Sequence, residues 1–330
     1  MNYNKYPFLY KIPIPSKYLS PTLISMEDWI LIKISGIDAK KYLQNQFTCD
    51  LFNLNKKKIS FAAHCNQYGK TISTMIVFIY ENCIYYITRR NIIHKQLTEF
   101  KKYSIFYKIN ICEDKNSILV GLAGNNIQNI LKKIFINIPT EQNSILKNSS
   151  DLTLIYIKLP KPRFLLIIKK KNFDNIFNII HNYVLLNNSM QWLSLDIESI
   201  YPLIDIKNSL KFIPQSLNME YIDGINFHKG CYIGQEIISK IKYKNSNKFF
   251  LYWISYKSNI LPKIGSNIEI KLKNNWKNTG TILAACKMIN NFIWIQIVLN
   301  KKLLIDNQNI RILEQNEYKS LNIHNFKLKY

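Results

Sequence analysis

The apolar runs in this chain are short, and their period changes along the sequence. ISTMIVFIY (Ile72–Tyr80) spans only about ten residues and carries hydroxyls, whereas a helix that crosses a bilayer needs about 20 apolar residues. Short runs of this kind, WILIKISG and CIYYITR among them, read as buried strands. Segments with helical spacing lie between them. One opens at Asp38, a candidate N-cap behind Gly36, and continues through AKKYLQNQF; another covers 91–102. A middle block repeats the mixture, with SILVGLAG as a strand, a helix over 125–135, LTLIYIKL and RFLLIIKK as strands, and helices over 172–186 and 189–200. After about residue 245 the helical spacing stops. Strand-like segments follow, separated by turn signals at Leu261-Pro262, Gly265-Ser266, Asn274-Asn275 and Asn290-Asn291. The pattern predicts an α+β region over residues 1–244 and a small β-barrel over 245–330.

At 330 residues, 47% of them hydrophobic and 13% aromatic, the chain has enough apolar surface for substantial cores and does not fit a disordered composition. The opening MNYNKYPFLYKIPIPSKYL has no apolar h-region and no small-residue cleavage site. A cytoplasmic protein with no membrane attachment is expected. The net charge of +24 invites polyanionic partners such as RNA. The excess is mostly Lys, however, and it rises together with Ile and Asn, as an AT-rich genome would impose on neutral surface positions. Both readings stay open.

Six cysteines, at 49, 65, 83, 112, 231 and 286, contain no C-x-x-C pair, so neither a disulfide framework nor a closed zinc site is expected. Five of them have apolar sequence neighbours and read as small core residues. Cys231 differs, because it lies in KGCYIGQE (Lys229–Glu236), where two of the chain's nine glycines frame a Cys-Tyr pair. Gly230 and Gly234 would permit a tight turn and Lys229 would favour a thiolate. Gln235 and Glu236 would open a helix whose N-terminal dipole suits the carboxylate. A structural glycine turn around a buried cysteine fits the same residues. His228 with Cys231 makes half a metal site at best, so no metal is expected.

The stretch Lys229, Gly230, Cys231, Tyr232, Gly234, Gln235, Glu236 resembles the signature of the YgfZ family, folate-binding proteins tied to tRNA modification and related to the glycine-cleavage T-protein. SMEDWILIKISG, KYLQNQFTCD, FAAHCNQYGK, QLTEFKKYSIF, NNSMQWLSLDIE, FIPQSLN and WKNTGTILAA resemble further family blocks in family order. The resemblance implies a T-protein-like cloverleaf of folate-binding α+β domains, two of them intertwined, followed by a C-terminal β-barrel. It implies tetrahydrofolate or a derivative as cofactor, with Trp29 and Trp192 against its rings and Glu198 paired with the pterin. Cys231 is then the candidate catalytic residue. The implied partners are iron–sulfur enzymes of tRNA modification (thiolation), with tRNA as a further candidate.

Departures from the family pattern sharpen this reading. Ile200 stands where relatives carry Gly, two residues after Glu198. Lys240 and Lys244 replace arginines, keeping charge but losing the bidentate fork. Asn245 replaces a Gly and can still adopt a left-handed backbone. Ser73 and Thr74 stand where the T-protein places an aspartate, and a hydroxyl cannot serve as that base. An accessory folate-binding protein is therefore expected rather than an aminomethyltransferase, with a basic RNA-binding module as the alternative.

Overall fold

Three sheets collect the strand-like runs, and the chain weaves between the first two. The computed structural model describes residues 6–149, 151–272, 275–301, 310–314 and 317–321. The first sheet has six strands in the order Leu185–Asn187, Thr22–Ser25, Ser117–Ala123, Arg163–Lys169, Leu152–Ile157 and Ile145–Ser149. The second has five, in the order Ser60–Cys65, Thr71–Tyr80, Cys83–Arg89, Trp29–Ser35 and Asn110–Glu113. Thr22–Ser25 belongs to the first sheet and Trp29–Ser35 to the second, so a short turn carries the chain from one to the other.

The inner faces of both sheets share one core. Leu119, Ile155 and Leu165 of the first sheet pack with Leu31, Phe78 and Ile87 of the second. These strands are apolar on successive residues rather than alternately, as expected where both faces are covered. The third sheet is antiparallel, in the order Phe249–Lys257, Phe292–Asn300, Asn275–Lys287, Asn267–Leu272, Ile310–Glu314 and Glu317–Leu321. Ala284, Cys286 and Trp294 from this sheet join the same core.

The helices are α1 (Ala39–Gln44), α2 (Ile93–Ser104), α3 (Ile127–Ile134), α4 (Phe173–Ile180), α5 (Ser189–Glu198) and α6 (Gln235–Tyr243). Two differ from the sequence reading. Asp38 makes no side-chain cap to α1, because its Oδ2 accepts the Lys108 backbone N–H at 2.8 Å and ties the helix start to the segment entering the strand Asn110–Glu113. The helix read over 172–186 stops at Ile180, since Leu185–Asn187 is drawn into a parallel pairing with Thr22–Ile24. Asn188 caps α5 as its residue type favours, accepting the Met190 N–H at 3.1 Å. Among the described residues no helix is long and apolar enough to cross a membrane.

Candidate functional site

Helix α5 presents two faces that do different work. Trp192, Asp196 and Ser199 recur at about one helical turn and face the interior between the first two sheets. Gln191 and Glu198 lie on the other side, against the N-terminal segment. There Ile14 donates its N–H to Gln191 Oε1 at 2.9 Å, and Gln191 Nε2 donates back to Ile14 O at 2.9 Å. Glu198 accepts the Ser16 N–H at 3.0 Å and the Ser16 hydroxyl at 2.8 Å. Both carboxylate oxygens of Glu198 thus bind the protein's own strap, and Glu198 is not among the residues lining the cleft.

The cleft itself has a volume of about 500 Å³, within the ordinary range for small-molecule sites. Ile59 and Phe61 from the second sheet, Tyr156 and Arg163 from the first, and Asp196 and Tyr201 from α5 and its exit line it. Ile76, Asp196 and Tyr201 also border a void of about 10 Å³ behind it, where Trp29, Trp192 and Arg89 meet. The two tryptophans singled out from the sequence therefore come together, but both are buried behind the cleft and neither lines it.

Each indole is covered by a guanidinium, Arg89 over Trp29 and Arg163 over Trp192, both 4.4 Å from the ring centroid. Trp192 also packs on the bare α-carbon of Gly121, where an added Cβ would lie 2.4 Å from Trp192 Cε3. Arg163 Nη2 donates to Asp196 Oδ1 at 2.6 Å with the two side chains 2% and 4% exposed, and Arg163 Nε donates to Leu159 O at 2.7 Å.

Burial raises the Asp196 pKa, and the Arg163 charge opposes that shift. Burial likewise lowers the pKa of Arg89. Nη1 of each arginine is buried without a hydrogen-bond partner in the protein. An unpaired buried donor is costly, so a ligand acceptor in the cleft suits Arg163 Nη1, whereas Arg89 Nη1 lies 3.9 Å from Asp28 Oδ2 and borders only the small void. The arginines and Asp196 went unrecognised in the sequence.

The exit of α5 is a Schellman turn, with Tyr201 N–H to Asp196 O at 3.0 Å and Ile200 N–H to Ile197 O at 3.0 Å. Ile200 occupies its left-handed position with φ 57°, which a β-branched residue adopts only under strain. Its side chain packs with Ala63, Cys65 and Ile204, away from the cleft. Asn245 takes φ 47° after α6, the left-handed conformation expected of it. Thr74 donates its hydroxyl to Pro202 O at 2.7 Å and lines the inner void, while Ser73 is fully buried beside it.

The KGCYIGQE motif is anchored by two devices. Gly234 has φ 84° and sits against the turn of the Ser60–Tyr80 hairpin, where an added Cβ would meet Asn66 O at 2.5 Å and Gly69 Cα at 2.8 Å. Gly230 has open space around it, so no close approach requires a glycine there. Lys229 is 7% exposed, and its Nζ donates to Gln44 O at 2.7 Å, Phe47 O at 2.7 Å and Cys49 O at 2.6 Å. Burial brings its pKa down to about 8, and three carbonyl acceptors suit an ammonium at neutral pH.

Lys229 therefore clamps the loop after α1 and is not free to activate Cys231, which corrects the role the sequence suggested. Cys231 is exposed and does not line the cleft; Tyr232 beside it is buried; Gln235 begins α6 with Glu236 in its first turn. Cys112 is exposed too and Cys83 half-buried, against the expectation of five core cysteines. No group of three or more metal-ligating side chains occurs among the described residues.

A family model described as YgfZ, beta-barrel domain, matches residues 247–315. The chain is 43% identical over 303 residues to the tRNA-modifying protein YgfZ of Sodalis glossinidius, covering 92% of each. It is 46% identical over 305 residues to the tRNA-modifying protein YgfZ of Blochmanniella pennsylvanica, covering 90% of this chain and 92% of the relative. In fold it is similar to the glycine cleavage system aminomethyltransferase T of Bartonella henselae, with a TM-score of 0.76, 10% identity, and coverage of 93% and 86% of the two chains.

Proposed function

The chain belongs to the YgfZ family of tRNA-modifying proteins, and from that premise we propose that it acts in tRNA modification by holding a reduced folate in the cleft beside Asp196 and Arg163, in support of iron–sulfur enzymes of tRNA thiolation. The observation that carries the folate reading is the donor set at the cleft's inner end. A pterin carries an amino group and a ring N–H that a carboxylate accepts, and a carbonyl that an arginine N–H donates to. Asp196 and the unpartnered Nη1 of Arg163 supply that pair. Phe61, Tyr156 and Tyr201 supply aromatic walls for the rest of the molecule. Bound there, the folate would supply one-carbon or redox chemistry of its own.

The hydroxyls of Ser73 and Thr74 provide no general base where the T-protein has its carboxylate. This supports an accessory role over aminomethyl transfer. Cys231 and Glu236 are the exposed side chains of an otherwise anchored motif, a location that suits contact with another macromolecule better than packing.

The test pairs binding with function. Tetrahydrofolate affinity is measured by equilibrium dialysis on the purified chain, and thiolated nucleosides are quantified in tRNA from cells whose own copy is deleted and replaced by this chain or its variants. The proposal expects folate binding in the parent, and loss of both binding and thiolation in Asp196→Ala. Failure of the parent chain to bind tetrahydrofolate would remove the folate from the account. Normal thiolation with the non-binding variant would separate the folate from the modification.

A further inference from the structure

Another cavity, of about 270 Å³, opens at the other end of the strand Ser60–Cys65 from the folate cleft. His64, Tyr68, Glu99, Lys102, Tyr103 and Ile233 are among the residues that line it. The two openings are about 13 Å apart along the strand, measured from Phe61 to Cys65 at the usual rise per residue. Ile233 belongs to the Cys231 motif and is fixed there by its N–H to Asn45 O at 3.0 Å, so the cavity adjoins the motif directly.

Two aromatic side chains at this site are held out in solvent, Tyr68 at 65% exposed and Tyr103 at 40%. Tyr68 rides on the Asn66–Gly69 turn, which is closed by Gly69 N–H to Asn66 O at 2.9 Å and braced by Gly234. Tyr103 sits in the last turn of α2, beside Lys101 and Lys102. At the floor, His64 is 1% exposed and stacked on Phe100 with centroids 4.4 Å apart, yet its Nδ1 has no hydrogen-bond partner in the protein. Glu99, paired with Lys102 at 2.7 Å, offers an acceptor for an exocyclic amine.

Exposed tyrosines, lysines at the rim and a buried unmatched polar atom below make up the equipment of a single-stranded nucleotide site. There a base stacks on aromatic faces, the backbone meets positive charge, and the base edge finds hydrogen-bonding groups. A protein of a tRNA-modifying family has a use for such a site. We propose that this cavity receives one unstacked base of an RNA, held between Tyr68 and Tyr103 and presented next to the Cys231 motif.

The proposal does not rest on folate binding, and the test keeps the two apart. The full-length chain is titrated at one fixed salt concentration with total tRNA, with a short single-stranded RNA oligomer, and with a duplex RNA of equal length. Tyr68→Ala, Tyr103→Ala and Lys102→Ala are compared with Tyr183→Ala, an exposed tyrosine elsewhere. The parent is expected to prefer the single strand to the duplex. Each tyrosine variant should bind tRNA and the single strand about tenfold more weakly, the loss of one stacked base, with unchanged melting temperature and unchanged tetrahydrofolate affinity. Lys102→Ala should weaken tRNA and duplex alike by a smaller factor. Equal affinity of parent and Tyr68→Ala, a duplex preference in the parent, or an equal loss in Tyr183→Ala would each overturn it. Loss of folate binding in the same tyrosine variants would overturn the separation of the two sites.

Discussion

Arg163 and Asp196 meet at 2.6 Å between a strand of the first sheet and helix α5, with both side chains withdrawn from solvent. A buried ion pair of this kind contributes little net stability as a pair but costs heavily when one partner is removed, because the other charge is left uncompensated. Asp196→Ala or Arg163→Met alone should each lower unfolding free energy by about 3–5 kcal/mol, and the double variant by less than the sum. Denaturant unfolding of the four proteins gives the cycle; strict additivity would mean the pair is not coupled.

Lys229 joins the Cys231 motif to the end of α1 through three backbone carbonyls. Lys229→Met keeps most of the stem but leaves those acceptors without their donor, at about 1–3 kcal/mol for a buried group left unsatisfied. We expect a stability loss of roughly 3 kcal/mol, faster proteolysis within residues 225–234, and incomplete rescue by Lys229→Arg, whose planar fork cannot reproduce a point donor. A loss below about 1 kcal/mol would mean that the carbonyls find water instead.

His64 should make the protein acid-labile. Burial lowers its pKa to about 3 from the ordinary 6.5, so below pH 6.5 the unfolded chain takes up a proton that the native one refuses. Stability from this group is then complete above pH 6.5 and is lost as pH falls toward 3, by up to ~1.4 kcal/mol per pH unit. His64→Phe, which can keep the stack on Phe100, should flatten that slope; an unchanged pH profile would show that His64 is protonated in the native state.

Ile200 sets two effects of similar size against each other. Its left-handed backbone costs on the order of 1–3 kcal/mol, and its burial recovers about 2 kcal/mol. Ile200→Gly should therefore change stability by no more than about 1 kcal/mol and leave ligand affinity untouched, since the side chain lies on the side away from the cleft. Tighter tetrahydrofolate binding in this variant would show that Ile200 crowds the site.

Much of the fold was legible because the apolar runs are long enough to identify strands and the turn residues punctuate them. The strand at Leu185 was not, since LLN has no signal of its own and exists through its pairing with Thr22–Ile24. Near the site, Trp29 and Trp192 were named through resemblance, and the structure brings them together behind the cleft rather than in its lining. Glu198 was named in the same way, but it lies six residues beyond Trp192, about a third of a turn off that face, whereas Asp196 lies about one turn on. Helical spacing alone could have pointed to Asp196. Arginine usage was a second signal: of 45 Lys and Arg residues only Arg89, Arg90, Arg163 and Arg311 are Arg, and two of them cover the tryptophans. The clamp by Lys229 could not be read locally, because its acceptors lie 180 to 185 positions away.

The choice between Asp196 and Glu198 is also the most direct test of the account. Tetrahydrofolate is titrated against the intrinsic fluorescence of the parent chain, Asp196→Asn and Glu198→Gln, the two variants being nearly isosteric and differing in which face of α5 they alter. The account predicts quenching in the parent through Trp29 and Trp192, affinity weakened at least about tenfold in Asp196→Asn through loss of a charge-assisted pair, and parent-like affinity in Glu198→Gln, whose carboxylate serves the N-terminal strap. Parent-like binding by Asp196→Asn together with loss in Glu198→Gln would contradict it and move the ligand to the other face of the helix.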